Sequence, residues 1–401
     1  MTIKYTESPS WVSQVQNLVW GTIPTFDDGS FISNSAGWTA FQNLLQKSIT
    51  PGTPFSTSIV STYSLIYTNG SVYTTNGISS GAYAGGVLSS GGSTMHLIPS
   101  NAPVGQKISN NNSVNAVTTY SLLYTTAACT YRGGVLDPNG NIHMVPFQAS
   151  VGQMISAASV ISTYTLKYVS TNNAYIGGCL DPNGNVHFIP NNATVGQRVS
   201  TITGTPTVST YTLIYTTNGA YQGGCLDPKG NIHMIPFVAT VGQMITNNST
   251  STYSLMHTVL YAHSGGVLDQ NGNIHMVPNR SSVGQMVSMA SGSPVCSTYT
   301  LVYANTSTGA YIGGVLDPNG NIHFIPSGAS VGQMVSMASG SPVCSTYTLV
   351  YTSGTYQGGI LLNNGDIHMI PYGASVGQKI STIPCSAFSQ TTCLSPFFNK
   401  F

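Results

Sequence analysis

Residues 133–146 read Gly-Gly-Val-Leu-Asp-Pro-Asn-Gly-Asn-Ile-His-Met-Val-Pro, and they decide the fold because the chain repeats them. Two short apolar runs flank the polar Asp-Pro-Asn-Gly. Proline presets φ at the first central position of a turn, asparagine suits the next, and glycine takes the φ > 0 that closes a hairpin. The stretch therefore predicts two antiparallel strands. Further copies occupy residues 177–190, 223–236, 265–278 and 313–326, with more divergent ones at 85–99 and 358–371.

Two more strands accompany each copy. Upstream lies a Ser-Thr-Tyr-Thr-Leu-x-Tyr run, as at residues 209–215, whose Tyr, Leu and Tyr share one face of a strand. Downstream lies Val-Gly-Gln-Met-Ile-Ser, as at residues 151–156, which predicts another short strand. We therefore expect each repeat to form one four-stranded meander that begins with the upstream run.

The repeat period is measured on one histidine in each copy. Successive histidines are 47, 44, 46, 42, 48 and 45 residues apart. Four-stranded repeats of about 40–50 residues are typical of propeller blades, which bury their faces against one another in a closed ring. The seven copies predict an all-β fold, a seven-bladed β-propeller of four-stranded antiparallel blades. The Gly-Gly pair suits a point where neighbouring backbones approach closely.

Charged residues make up only 5% of the 401 residues, and the formal net charge is +1. A chain with no basic patch is not expected to bind nucleic acid. No run approaches the roughly 18 apolar residues of a membrane-spanning helix. Residues 1–20 also lack the pattern of a secretory signal peptide. We therefore expect neither nucleic acid nor a membrane as a partner.

Three segments are predicted along the chain: an N-terminal attachment segment over residues 1–60, the propeller over 61–381, and a C-terminal tail over 382–401. Apolar residues at helical spacing predict one helix in the first segment, near 35–48. Residues 282–303 and 330–351 are identical at every position, which indicates a recent duplication.

The cysteines are interpreted by position. Cys179 and Cys225 replace the Val of Gly-Gly-Val-Leu and are expected to be small core residues. Cys385 and Cys393 are close enough in sequence to suggest a disulfide, but their geometry is open.

The first segment contains Ser-Trp-Val at residues 10–12, Gly-Ser-Phe-Ile-Ser-Asn at 29–34 and Phe-Gln-Asn-Leu-Leu at 41–45. These stretches resemble the N-terminal segments of bacteriophage tail-fibre proteins. The repeats are similar in type to those of propeller repeat proteins of phages and large viruses. The resemblance implies a virion appendage in which residues 1–60 bind other virion or appendage proteins.

The repeated histidines are the sharpest chemical feature, and they could form a ring of metal ligands or pH-sensing groups. Their neighbours in Ile-His-Met-Val are apolar, so we interpret them as buried groups with a hydrogen bond inside each blade, to a Tyr hydroxyl or a backbone group. Asp-Pro-Asn-Gly-Asn spaces its oxygens as calcium loops do, but turn chemistry explains it without a metal. We expect no metal and no cofactor. The histidines are His96, His143, His187, His233, His275, His323 and His368.

A tyrosine two residues before Gly-Gly is the candidate for binding. Aromatic rings at blade rims can stack on sugars, but we favour core packing with a paired hydroxyl over this role. A surface glycan is the ligand that such stacking would serve. The candidates are Tyr131, Tyr175, Tyr221, Tyr311 and Tyr356.

The blades contain no Glu, and nothing resembles a Ser-His-Asp or paired-carboxylate site on one unique blade. We therefore predict no catalytic residues and no enzyme activity. The predicted function is that of a structural or receptor-binding propeller of a virion or phage tail appendage, made in the host cytoplasm. The alternatives are a lectin-like carbohydrate-binding module with repeated sites and a cytoplasmic protein-interaction scaffold. Homo-oligomerisation is left open.

Overall fold

The structure is a computed structural model that describes residues 59–68, 73–75, 78–111, 114–125, 129–201, 204–246, 249–353 and 355–382. These residues form thirty strands and no helix. Seven antiparallel sheets have four strands each, and the two remaining strands, β2 (Tyr73–Thr75) and β3 (Ile78–Ser80), form a hairpin. The prediction of a seven-bladed, all-β propeller is confirmed.

The blades are numbered in chain order, and their strands are given from the innermost outward. Blade 1 has β4 (Tyr83–Leu88), β5 (Thr94–Pro99), β6 (Val104–Asn111) and β7 (Val114–Ser121). Blade 2 has β8 (Tyr131–Leu136), β9 (Ile142–Pro146), β10 (Val151–Ile155) and β11 (Ile161–Thr165). Blade 3 has β12 (Tyr175–Leu180), β13 (Asn185–Pro190), β14 (Val195–Ser200) and β15 (Thr207–Thr212). Blade 4 has β16 (Tyr221–Leu226), β17 (Ile232–Pro236), β18 (Val241–Thr246) and β19 (Ser249–Ser254).

Blade 5 has β20 (His263–Leu268), β21 (Ile274–Pro278), β22 (Val283–Ser288) and β23 (Val295–Thr300). Blade 6 has β24 (Tyr311–Leu316), β25 (Asn321–Pro326), β26 (Val331–Ser336) and β27 (Val343–Thr348). Blade 7 has β28 (Tyr356–Leu361), β29 (Asp366–Pro371), β30 (Gly377–Ser381) and, as its outermost strand, β1 (Ile59–Tyr63).

The Ser-Thr-Tyr strand belongs to the preceding blade, which corrects the predicted order within a repeat. β11 pairs with β10 of its own blade, with Thr163 opposite Gln153. A short turn over residues 156–160 joins these two strands, whereas the longer connection over 166–174 crosses to the inner strand of the next blade. The unit in space is therefore inner strand, histidine strand, Val-Gly-Gln strand and Ser-Thr-Tyr strand.

The ring closes by sharing one blade between the two ends of the propeller. β1 pairs antiparallel with β30, and Tyr63 lies opposite Gly377. This pairing covers an edge that would otherwise be open. The boundary predicted at residues 60/61 therefore falls inside β1.

The first glycine of each Gly-Gly pair lies at the axis of the ring. Gly133 has a φ of 89°, and a Cβ at this position would lie 2.9 Å from Cα of Gly177 in the next blade. Equivalent approaches run from blade to blade, and at the closure a Cβ on Gly358 would lie 3.9 Å from Cα of Gly85. The positive φ also produces a β-bulge after the start of each inner strand, as between Tyr131 and Gly134.

The hydrophobic core lies between the blades. Phe188 of blade 3 packs in one cluster with Val145 of blade 2. Leu97 of blade 1 packs with Ile370 of blade 7, so the closure is buried like the other interfaces. Each sheet therefore covers the face of its neighbour, as a closed ring requires.

The cysteines in the described part of the chain are unpaired, and Cys179 and Cys225 are buried as predicted. The helix near 35–48 and the pair Cys385 and Cys393 lie outside the described residues. No helix in the described ranges has the length and apolar character needed to cross a membrane.

Candidate functional site at the channel mouth

The two faces of the ring differ in chemistry. In each blade the inner strand begins beside the end of the second strand, and Tyr131 accordingly lies opposite Pro146. We call this the loop face because the connections between blades lie on it. The Asp-Pro-Asn-Gly hairpins lie at the other end of the strands, on what we call the hairpin face.

A buried Asp-His-Tyr arrangement recurs near the hairpin face. In blade 2, Nε2 of His143 lies 3.2 Å from Oδ2 of Asp137, and Nδ1 lies 3.2 Å from the hydroxyl of Tyr164. A group of three metal-ligating His, Cys, Asp or Glu side chains does not occur in the described ranges. Both ring nitrogens of His143 therefore have partners within the same blade. The same arrangement recurs as Asp181–His187–Tyr211, Asp227–His233–Tyr253, Asp269–His275–Tyr299 and Asp317–His323–Tyr347.

The Asp137 carboxylate is saturated by protein donors. Oδ1 accepts the backbone N–H groups of Asn139 and Asn141, at 2.9 and 2.8 Å. Oδ2 accepts Nδ2 of Asn141 and the hydroxyl of Thr201, at 2.9 and 2.7 Å. Burial opposes ionisation, but hydrogen bonds led by that from His143 outweigh it and hold the pKa of Asp137 well below its usual range. Turn chemistry thus uses the oxygens that a calcium site would need.

Blade 1 lacks the aspartate, since Ser89 occupies that position. The His96 ring contacts the Tyr120 ring, with centroids 5.6 Å apart. Nδ1 of His96 has no hydrogen-bond partner among the residues the structure describes. Burial, aided by the nearby Lys107, lowers the pKa of His96 to about 4.

Blade 7 is altered in another way. Nδ1 of His368 bonds the hydroxyl of Tyr63 at 3.1 Å, which links the last described histidine to the closing strand β1. The nearby carboxylate, Asp366, forms an ion pair with Lys379 instead. Burial lowers the pKa of His368 to about 4.

A glutamine that sequence reasoning did not assign locks each blade to the preceding one. Oε1 of Gln153 accepts the backbone N–H groups of Leu123 and Tyr124, at 3.0 and 2.9 Å. These donors belong to the connection that leaves blade 1, so the loop is held rigidly. The Gly-Gln dipeptide recurs in every repeat of the sequence, and this recurrence could have identified the glutamine. The equivalent residues are Gln106, Gln197, Gln243, Gln285, Gln333 and Gln378.

The tyrosines before Gly-Gly are core residues. The hydroxyl of Tyr131 donates to the backbone carbonyl of Val151 at 3.2 Å. A ring with no exposed face cannot stack on a sugar, so the sugar-binding role considered for these side chains is incorrect. All five candidates, Tyr131, Tyr175, Tyr221, Tyr311 and Tyr356, are at most 1% exposed.

The sevenfold repetition is lost at the mouth of the channel on the loop face. The residue before Gly-Gly varies among the blades, and so does the residue after the proline that ends the second strand. No two blades have the same combination of the two. Because the innermost strands border only the channel and neighbouring blades, these positions lie around its mouth. Six of them are half-buried and eight are buried. The half-buried ones are Ile176, Gln222, Ile312, Gln357, Phe237 and Ser327. The first set is Ala84, Arg132, Ile176, Gln222, Ser264, Ile312 and Gln357. The second is Ser100, Phe147, Asn191, Phe237, Asn279, Ser327 and Tyr372.

Arg132 is the one charged member of these two sets. Its guanidinium carbon lies 4.3 Å from the centroid of the Phe147 ring and 5.6 Å from that of Tyr372. Nη2 donates to the Tyr372 hydroxyl at 2.9 Å. The side chain is 9% exposed, and its Nε–H has no hydrogen-bond partner in the described part of the chain. A buried cation held by two rings is the most asymmetric element of the mouth.

Blade 5 carries a second departure. His263 replaces the inner tyrosine, and His257 replaces the tyrosine of the Leu-x-Tyr run. Their ring centroids are 6.1 Å apart. The hydroxyl of Ser281 donates to the carbonyl of Val283 at 2.6 Å, which supplies the hydrogen bond that the inner tyrosine makes in other blades. Ser281 therefore replaces the hydrogen bond that is lost with the tyrosine.

Both histidines are held in the neutral form. Burial, with a smaller effect of His257, lowers the pKa of His263 to about 3, and burial also lowers the pKa of His257. Nε2 of His257 and Oγ of Ser264 lack hydrogen-bond partners within the described ranges. Tyr261, in the connecting loop, has a φ of 64°, and Arg280 stacks on its ring at 5.0 Å. The positive φ of Tyr261 is a local strain of the kind that clusters at functional sites.

No family model and no curated protein sequence matches this chain. Several solved structures share its fold. A catalytically inactive His-to-Ala variant of virginiamycin B lyase from Staphylococcus aureus, with quinupristin, has a TM-score of 0.66 at 14% identity and covers 82% of this chain and 100% of its own. A streptogramin B lyase has a TM-score of 0.65 at 14% identity, over 82% and 99%. The periplasmic gluconolactonase of Pseudomonas aeruginosa has a TM-score of 0.51 at 9% identity, over 68% and 87%.

The prediction that the chain is not an enzyme is contradicted by this comparison. The similar structures include lyases and a lactonase, so a propeller of this shape supports catalysis. The prediction rested on the absence of Glu and of a familiar triad in the blades, and that absence does not exclude other chemistry. At these identities the likeness shows the fold alone and gives this chain no activity by name.

Proposed function

We propose that this propeller binds a small molecule at the mouth of its central channel on the loop face. One observation carries the proposal: blades that share their Asp-His-Tyr, Gln and Gly residues differ from one another where they line the mouth. Repetition is what a scaffold needs, whereas one bound molecule has no sevenfold symmetry. Concave sites lined by apolar and aromatic groups with a few polar ones are typical ligand sites.

The hairpin face is a poorer candidate. Its carboxylates are used by hydrogen bonds inside the turns, as for Asp137 and Asp227. The mouth instead combines the half-buried amides of Gln222 and Gln357, the half-buried ring of Phe237, and one cation whose charge is flanked by buried rings. Amides fix orientation by hydrogen bonds, and rings supply contact area.

A blocking substitution tests this proposal. Gln357→Trp would fill the mouth, and Ser291→Trp adds the same ring at an exposed site in the β22–β23 turn on the hairpin face. A small-molecule library is screened by the rise in Tm of the unaltered chain, because a ligand of the native state raises Tm. We expect hits to stabilise Ser291→Trp as they do the unaltered protein, and to lose their effect on Gln357→Trp. Equal responses of the two variants would contradict the site.

Catalysis at the same face is a second candidate, favoured by the histidine pair of blade 5. A structurally similar lyase is inactivated by a His-to-Ala change, which supports asking whether histidine acts here too. The variants His257→Tyr and His263→Tyr restore the residues that other blades carry. We expect turnover of a bound hit, followed by NMR, to stop in these variants while its binding persists. Unchanged turnover would exclude the pair.

Display of this site on a virion or tail appendage, attached through residues 1–60, remains part of the proposal. It is supported by the uncharged polar composition and by the resemblance of the leader to tail-fibre segments. A cytoplasmic scaffold is the alternative. Mass spectrometry of purified particles from the source tests the two, since only an appendage protein co-purifies with the particle.

A further inference from the structure

We infer that Arg132 binds the carboxylate of the molecule that occupies the channel mouth, so that the ligand is a monoanion with an otherwise uncharged body. This inference rests on the proposed ligand site and adds its chemical class. It is carried by the state of one side chain, its surroundings and its counterparts in the other blades.

The charge of Arg132 has no carboxylate partner in the described part of the chain. The described aspartates are engaged elsewhere: five bond histidines of their own blades, and Asp366 pairs with Lys379. A buried cation without an anion carries a large desolvation penalty. The two flanking rings offset part of it. An anion bound at the mouth would supply the missing partner.

The guanidinium is also held in a fixed orientation. The hydrogen bond to Tyr372 and the contact with Phe147 fix its plane. Nε–H is buried and has no hydrogen-bond partner in the described part of the chain, so the Nη groups are the donors left for a ligand. A guanidinium presents parallel N–H groups along its edges, which match the two oxygens of a carboxylate. A fixed donor loses little entropy when the anion binds.

The fold itself does not require a cation here. The equivalent positions carry only neutral residues, among them Gln222 and Gln357. The arginine is therefore a feature of one blade, placed where the ring brings blades 1, 2 and 7 together.

The number of charges selects a carboxylate over a phosphate. One cation balances one negative charge, and within the described ranges no second Lys or Arg hydrogen-bonds to Arg132 or stacks on Phe147. A phosphate dianion would retain uncompensated charge in a partly dry mouth. The remaining lining is amide, aromatic and apolar, which suits either a sugar acid or an aromatic acid.

Paired probes on the full chain test the inference. Glucuronate is compared with glucose, benzoate with benzyl alcohol, and inorganic phosphate is added as a third arm, each by calorimetric titration. We expect the acids to bind more tightly than their neutral counterparts and than phosphate. The arm with the higher affinity decides between a sugar acid and an aromatic acid.

The decisive variant is Arg132→Gln, which introduces the residue of blades 4 and 7. We expect it to weaken binding of the acid about 10- to 100-fold, as loss of a charge-assisted contact does, and to leave the neutral counterpart unchanged. Arg132→Lys keeps the charge but loses the paired N–H donors of the guanidinium. Its affinity for the acid should lie between that of the unaltered protein and that of Arg132→Gln. Arg198→Gln on the outer part of blade 3 is the matched control and should bind as the unaltered protein does.

Several results would overturn the inference. One is an equal loss of acid and neutral compound in Arg132→Gln, and another is tighter binding of phosphate. A third is acid binding that appears only after Glu7, Asp27 and Asp28 are changed to amides. That result would mean that a carboxylate of the chain itself pairs with Arg132 and keeps the acid out. If hits are blocked by Gln357→Trp but show no preference for acids, the proposed site survives and the carboxylate assignment fails. If Gln357→Trp blocks no hit, the proposed site itself fails.

Discussion

Nη2 of Arg132 in blade 2 donates a 2.9 Å hydrogen bond to the hydroxyl of Tyr372 in blade 7, although blade 1 lies between them in the ring. The contact is possible because the inner strands converge at the axis and because blade 1 presents the small Ala84 at the equivalent position. The ring thus brings together residues that are 240 positions apart in sequence.

Replacing this arginine should make the ligand-free protein more stable. Arg132→Ile introduces the residue of blades 3 and 6 and removes a buried charge. We expect the free energy of unfolding to rise by about 1–3 kcal/mol, since buried charges are commonly replaced by apolar groups without loss. Urea denaturation at pH 7 measures this, with Lys167→Ile, at an exposed site, expected to change stability by no more than about 0.5 kcal/mol. A loss of stability in Arg132→Ile would mean that the contacts with Phe147 and Tyr372 already outweigh the cost of burying the charge.

The ring of glycines predicts unequal effects of the same substitution. Gly133→Ala must adopt a positive φ and also bring its Cβ to 2.9 Å from the next Cα. Gly358→Ala has the positive φ, but its Cβ meets the next Cα at 3.9 Å. We expect about 1–2 kcal/mol of destabilisation for Gly358→Ala and about 1–3 kcal/mol more for Gly133→Ala. Equal losses, measured by denaturation, would show that backbone conformation alone limits both sites.

Much of the fold could be read from the sequence because its determinants are local and repeated. The turn of Asp-Pro-Asn-Gly, the positive φ of its glycine and the close approach at Gly-Gly all depend on residues a few positions apart. The Ser-Thr-Tyr strand was assigned to the wrong neighbour because its pairing depends on connection length and closure. The alternation of apolar and polar residues in this strand is the same whether the strand belongs to the preceding or to the following blade.

The site was less accessible to sequence reasoning. His143 and Asp137 meet across one hairpin, so this pair could have been found from the predicted register. Comparison of the repeats could also have shown His257 and His263 as departures from tyrosine. The environment of Arg132 could not have been found from the sequence, because ring closure brings its partner Tyr372 next to it.

The Asp-His-Tyr arrangement predicts a difference between two equivalent histidines. His143→Phe removes a donor from the buried Asp137 and leaves the Tyr164 hydroxyl unpaired, which should cost about 2–4 kcal/mol. His96→Phe removes a ring whose Nδ1 has no partner, so stability at pH 7 should change by less than about 1 kcal/mol. Urea denaturation of the two variants checks this. A His96→Phe loss as large as that of His143→Phe would show that ring packing dominates in both blades.

Three buried histidines should make the fold sensitive to acid. The pKa values of His96 and His368 are lowered from 6.5 to about 4, and that of His263 to about 3. Below pH 6.5 the unfolded chain therefore binds protons that the folded chain does not, so stability falls as the pH falls towards these values. Each group contributes a slope of up to about 1.4 kcal/mol per pH unit in this window. The lowered aspartate pKa values act only below about pH 4, where unfolded carboxylates become protonated.

The contribution of His263 can be isolated because other blades show which residue replaces it. In His263→Tyr the free energy of unfolding, measured by urea denaturation from pH 7 to pH 4.5, should fall less steeply, by up to about 1.4 kcal/mol per pH unit. His263→Phe removes the same titration without supplying a hydroxyl. It should show the same slope as His263→Tyr, even if the two differ in stability at pH 7. A slope in both variants equal to that of the unaltered protein would mean that His263 is protonated without unfolding, and that the loop around Tyr261 opens to admit the charge.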